Sequence, residues 1–76
     1  MKNEYCLTNL PEGQTATVRE LSVSGSMRRR LQDIGLIKGT KVECLGASPL
    51  GDPIAYLIRG AVIALRSEDS AGVILE

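Results

Sequence analysis

Glycine and proline turns divide this chain into short segments, and their spacing limits the fold more than any other feature. Several segments alternate apolar and polar residues or form brief apolar runs, as short β-strands do. The segments that predict strands are residues 6–10, 15–21, 42–45, 54–59, 61–66 and 73–75. Gly60 separates two of them, which indicates either a hairpin or a sharply bent strand.

One helical pattern interrupts the strands, because Met27, Leu31 and Ile34 recur at positions i, i+4 and i+7. Ser26 is the expected N-cap, and Gly35 is the expected left-handed residue at the end. The sequence therefore predicts a helix of about two turns.

A short helical turn is predicted at residues 67–69, where a serine precedes two acids. Five or six short strands with so little helix favour a mostly β fold, a small closed or partly closed barrel, because closure removes exposed strand edges. The chain has 76 residues, enough for one modest core, so we expect a single domain over residues 1–76.

The charge balance argues against nucleic acid and membrane partners. Nine basic and nine acidic residues give a formal net charge of zero, so no global field attracts nucleic acid or an anionic membrane surface. No apolar stretch has membrane-spanning length. We therefore predict no nucleic acid partner and no direct membrane insertion.

The residue types needed for most catalytic and metal sites are absent from the sequence. There is no histidine, which removes His-based triads and the commonest metal ligand. Cys6 and Cys44 lie far apart, so neither belongs to a C-x-x-C zinc or redox motif. No phosphate-binding glycine motif is present. The sequence predicts no enzyme, no cofactor and no metal-ligand set, and it favours a reducing cytoplasm.

Three consecutive cations, Arg28, Arg29 and Arg30, fall in the first turn of the predicted helix. The helix dipole favours acids there, and each exposed cation costs about 0.3–1 kcal/mol at low salt. Two interpretations stay open: a solvated basic face whose long side chains cover apolar surface, or a dock for an anion or carboxylate of a partner.

The loop before the strand segment at residue 54 combines stiffness with an apolar tip. Pro49 and Gly51 suit the second and fourth positions of a type I turn, and Pro53 drives Asp52 towards an extended conformation. Leu50 either folds back as a plug over the barrel mouth or awaits a partner. Asp52 is expected to accept backbone N–H bonds within its own loop rather than to bind a metal.

These motifs together resemble the FeoA family, the small cytosolic component of bacterial ferrous iron uptake. The matching segments are residues 10–13, 30–39, 49–54, Gly60 and residues 63–66. The resemblance runs from about residue 7 to residue 75 with the motifs in register. It implies an SH3-like β-barrel.

The resemblance also implies a partner, the membrane Fe(II) transporter FeoB, whose cytosolic part includes a GTP-binding domain. We expect the chain to lie in the cytoplasm at the inner face of the membrane, to dock on the cytosolic region of FeoB and to modulate transport. The residues expected to bind the partner are Arg28, Arg29, Leu50, Gly51, Asp52 and Pro53.

Two alternatives stay open. The first is direct binding or carriage of Fe(II) or another divalent metal ion by acidic residues and a thiolate at a subunit contact. The second is activation of a GTPase, with Arg29 as an arginine finger, by analogy with other activating proteins.

Overall fold

The computed structural model describes residues 5–76, and residues 1–4 of the predicted domain lie outside the described part. The strands are β1 (Thr15–Leu21), β2 (Lys41–Ala47), β3 (Ile54–Ile58), β4 (Ala61–Leu65) and β5 (Val73–Leu75). The helices are α1 (Gly25–Asp33) and α2 (Ser67–Ser70), and a 3₁₀ turn covers Leu7–Asn9. Within residues 5–76, no helix has the length and hydropathy to cross a bilayer.

The strands form one antiparallel sheet in the order β4-β3-β2-β1-β5. The predicted mostly β fold, with one longer helix and one short helical turn, is confirmed. The predicted first strand is wrong in part, because only Cys6 pairs with the sheet, through a bridge to Ile74. Leu7 and Leu10 are both buried, and their spacing of three residues suits a 3₁₀ turn rather than an extended strand.

The core is aliphatic and has one aromatic side chain at its centre. Fully buried side chains include Leu7, Val18, Leu31 and Leu36. Tyr56 is also fully buried, and its hydroxyl donates to the Leu7 carbonyl over 3.2 Å. Burial raises the pKa of Tyr56 above its ordinary value, because the charged phenolate is poorly solvated there.

Helix α1 begins earlier than predicted and ends where predicted. Ser24, not Ser26, occupies the N-cap position, because Gly25 takes a φ of 68° and turns the chain into the helix at that point. At the other end, Gly35 has a φ of 102°, and the Leu36 N–H donates to the Leu31 carbonyl over 3.0 Å. This bond is the signature of a Schellman motif.

Strands β3 and β4 form a hairpin and not one sharply bent strand, which was the other structure that the sequence allowed. The connection is the pair Arg59 and Gly60, with φ values of 52° and 86°. Two consecutive positive φ values are typical of a type I′ turn, whose twist matches that of the flanking strands.

Candidate docking surface

The loop between β2 and β3, residues 48–53, is held by hydrogen bonds of its own. The Gly51 N–H donates to the Ser48 carbonyl over 2.8 Å, which closes the predicted turn. The Ser48 hydroxyl donates to the Asp52 carbonyl over 2.8 Å, and the Ser48 N–H donates to the Pro53 carbonyl over 3.1 Å. These bonds fix the loop conformation in the absence of any partner.

Leu50, at the tip of this loop, projects into solvent. Leu50 is 93% exposed. It therefore does not fold back as a plug over the barrel mouth, which was one of the two interpretations that the sequence allowed. Among residues 5–76, the next most exposed large apolar side chain is Val62, at 68%. Burying a leucine completely contributes about 1.5–3 kcal/mol, so Leu50 offers a partner the largest apolar gain of these side chains.

Asp52 connects the loop to helix α2. Its Oδ1 accepts the backbone N–H of Ser67 over 2.8 Å. The side chain does accept a backbone N–H, as predicted, but the donor belongs to Ser67 and not to the loop itself. Arg66, at the N-cap position of α2, makes no side-chain capping bond, so Asp52 supplies the acceptor that the N-cap residue lacks.

Helix α2 is attached in turn to α1 and to the 3₁₀ turn. The Nη1 atom of Arg30 lies 3.7 Å from Oδ2 of Asp69, and Asp69 is buried. The hydroxyls of Thr8 and Ser70 lie 2.6 Å apart and share a hydrogen bond. The Thr8 hydroxyl also lies 3.2 Å from the carbonyl of Ser67. A continuous set of contacts therefore runs from the loop through α2 to Arg30.

The three arginines of α1 differ in their surroundings. Because α1 begins at Gly25, Arg28 is the last residue of its first turn and Arg29 and Arg30 lie beyond it, so the predicted dipole penalty applies at most to Arg28. Arg28 Nη1 donates to the Leu21 carbonyl over 3.1 Å. Arg29 is exposed and, among residues 5–76, makes no side-chain hydrogen bond or ion pair. Arg30 belongs to the last turn, where a cation is favourable.

A cavity of about 290 Å³ opens beside Arg28. Among the residues that the structure describes, its charged lining consists of Arg19, Glu20, Arg28 and Lys38. Arg19 is paired with Glu20, with 3.3 Å between Nη2 and Oε2. The guanidinium of Arg28 beside this cavity suits a carboxylate of a partner, which guanidinium groups bind well.

The predicted site residues therefore fall into two groups. The loop group, residues 48–53, is joined through α2 to Arg30. Arg28 and Arg29 form the other group, and within the described part of the chain no hydrogen bond or ion pair joins them to the loop. Sequence reasoning missed Arg30 and Asp69, because no local pattern predicts a pair between two separate helices.

Cys6 and Cys44 are the thiols of the chain that could bind a metal ion together with acidic side chains. Cys44 is buried and Cys6 is half-buried, and both are free thiols. The Cys6 thiol donates to Oδ1 of Asn9 over 3.1 Å. Among residues 5–76, no three cysteine or acidic side chains are grouped as a metal site requires.

Comparison with known proteins identifies relatives of the whole described chain. A profile described as the FeoA domain matches residues 5–76. A fusion of Fe(2+) transport protein A with the Fe(2+) transporter FeoB, from Porphyromonas gingivalis, is 30% identical over 70 residues. That alignment covers 92% of this chain and 8% of the fusion protein. The chain thus spans only a small part of that relative's length.

Solved structures give the same result. An FeoA-like protein from Clostridium acetobutylicum is 28% identical, with a TM-score of 0.88, covering 100% of this chain and 88% of the other. FeoA of Stenotrophomonas maltophilia, complexed with zinc and described as an SH3 domain protein, is 25% identical, with a TM-score of 0.83. The match covers 93% of this chain and 88% of that one. The predicted SH3-like fold is therefore confirmed.

Proposed function

This chain belongs to the FeoA family, and from that premise we propose that it is a non-catalytic accessory protein of ferrous iron uptake. It docks on the cytosolic region of the membrane Fe(II) transporter FeoB and modulates transport. On this proposal the chain acts in the cytoplasm, where its partner holds it at the inner face of the membrane. Residues 1–76 act as one domain.

The family supports the coarser part of the proposal. FeoA is a small accessory domain associated with ferrous iron transport rather than an enzyme family. In the Porphyromonas gingivalis relative, transport protein A and FeoB form one polypeptide. A fusion keeps two domains at high effective concentration, which is useful when they act on each other.

The exposure of Leu50 is the observation that carries the docking proposal. A leucine that is 93% exposed, on a loop fixed by its own hydrogen bonds, binds without losing much conformational entropy. Asp52 also joins the loop to α2 by a hydrogen bond, so a partner that binds Leu50 contacts a rigid surface. Gly51 and Pro53 belong to this surface because they set the shape of the loop.

Arg28 and Arg29 supply the charged part of the proposed contact. Arg28 keeps its guanidinium beside the cavity described above. Arg29 is exposed, so it can bind a carboxylate of the partner without breaking a bond of its own within the described residues.

The test is binding of the chain to the purified cytosolic region of FeoB, measured by isothermal titration calorimetry. Leu50→Ala removes three carbons, each worth about 0.8 kcal/mol when buried. We therefore expect a loss of about 2.4 kcal/mol, which weakens binding roughly 50-fold. Arg29→Glu should also weaken binding, because it replaces an attraction for a partner carboxylate by a repulsion.

Two matched variants serve as controls. Val62→Ala shortens another exposed aliphatic side chain, and Lys41→Glu reverses another exposed cation; both should bind as the unaltered chain does. If Leu50→Ala and Arg29→Glu also bind unchanged, this docking surface is wrong. If the unaltered chain does not bind the cytosolic region at all, the proposed partner is wrong.

A further inference from the structure

Strand β4 forms an open edge of the sheet. It pairs with β3 on one side and, in the strand order, stands at the end of the sheet. Within residues 5–76, no other backbone hydrogen bond reaches Ala61–Leu65. At the other end of the sheet, β5 is covered in part, because the Leu75 N–H donates to the Tyr5 carbonyl over 2.7 Å.

The hairpin geometry determines which backbone groups face outward along this edge. A two-residue turn makes the flanking residues, Ile58 and Ala61, a hydrogen-bonded pair. The register continues without a bulge to the pair Ile54 and Leu65, so pairs alternate regularly. The N–H and C=O groups of β4 that point away from β3 are therefore those of Val62 and Ala64.

This edge lacks the features that usually prevent strand pairing. Natural edge strands carry charges, prolines or bulges, whereas Ala61–Leu65 reads AVIAL and contains none of them. Val62 is 68% exposed and Ala64 is exposed. The edge therefore offers both unpaired backbone groups and an apolar strip beside them.

We propose that β4 pairs antiparallel with β4 of a second copy of this chain. A twofold axis through Ile63 places Val62 of each copy opposite Ala64 of the other copy. Each such pair exchanges two backbone hydrogen bonds, so the outward groups of both residues are satisfied. Twofold pairing of this kind uses the same surface on both copies.

Charge favours a second copy as the occupant. Ala61–Leu65 contains no charged residue, so no like charges meet across the strand pair. In this register Arg66 lies opposite Gly60 of the second copy, which keeps the arginines out of direct opposition. The formal net charge of zero also removes the long-range repulsion that keeps strongly charged proteins apart.

The size of the edge sets the strength of the dimer. Five residues of one strand bury much less than the roughly 800 Å² per partner of a typical stable complex. Half-dimerisation is therefore expected at about 0.1–1 mM chain rather than at nanomolar concentrations.

The test is sedimentation equilibrium of the chain alone over this concentration range. The weight-average mass should rise from 8.1 kDa towards twice that value. Val62→Lys places a cation on the edge and should hold the mass at that of one chain. Ala64→Pro should do the same, because it removes an outward N–H and leaves the hydrogen bonds to β3 in place.

Each variant is first checked for folding by its amide NMR spectrum, and Val62 is exposed enough for a lysine to be tolerated. Leu50→Lys serves as the control and should self-associate as the unaltered chain does, which separates this edge from the docking loop. A mass that stays at 8.1 kDa throughout overturns the proposal. So does self-association that survives in folded Val62→Lys and Ala64→Pro.

Discussion

Replacing Asp52 tests whether the loop is anchored to α2 in solution. In Asp52→Ala, the N–H of Ser67 loses the oxygen that it contacts at 2.8 Å. No capping side chain at Arg66 substitutes for it. Loss of a helix-capping acceptor costs about 0.5–2 kcal/mol, typically about 1 kcal/mol. For a domain of this size, that lowers the melting temperature by about 4–8 °C.

Asp52→Asn is the matched control, because it keeps a side-chain oxygen able to accept from Ser67 and removes only the charge. Thermal unfolding followed by circular dichroism should place it close to the unaltered chain and well above Asp52→Ala. Hydrogen exchange of the Gly51 amide should accelerate in Asp52→Ala as well, since the loop loses its attachment. Equal melting temperatures for all three proteins would show that the bond contributes nothing.

Two further predictions concern the core. A Cβ on Gly72 would lie 2.5 Å from Cγ1 of Val23, so Gly72→Ala should lower the free energy of unfolding by about 1–3 kcal/mol, as measured in urea. In the Val23→Ala background the same substitution should be much less harmful. Equal losses in both backgrounds would contradict this contact. Burial raises the pKa of Tyr56, so the folded state holds the phenol proton more tightly than the unfolded state does. This difference stabilises the fold fully below the unfolded pKa of about 10, and the stabilisation is lost as the pH rises through the raised pKa of the folded state. Tyr56→Phe should therefore lose less stability than the unaltered chain as the pH rises above about 10. An identical alkaline loss in both proteins would refute this assignment.

The elements that could be predicted from the sequence are those whose causes lie within a few residues. Strand β1 (Thr15–Leu21) was predicted with these bounds because its alternating residues need only one buried face. The end of α1 at Gly35 was predicted because a left-handed residue is a local requirement. The start of α1 was misplaced, since Ser24 and Ser26 both precede the apolar pattern and both are residues that suit an N-cap.

The contacts that organise the docking surface could not be predicted, because each joins elements that only the fold brings together. Asp52 reaches Ser67 across a whole hairpin, and Arg30 reaches Asp69 from another helix. The SH3-like fold itself came from the motif resemblance, since short strands in this number suit several small barrels. Local patterns predicted a stiff loop, whereas the direction of Leu50 depended on what the loop packs against.

The proposed contact at Leu50 is small, which gives a covalent tether to the partner a physical use. Burial of Leu50 contributes about 1.5–3 kcal/mol, whereas a micromolar complex needs about 8 kcal/mol. In the Porphyromonas gingivalis relative, fusion to FeoB supplies a high effective concentration, so a weak contact suffices there.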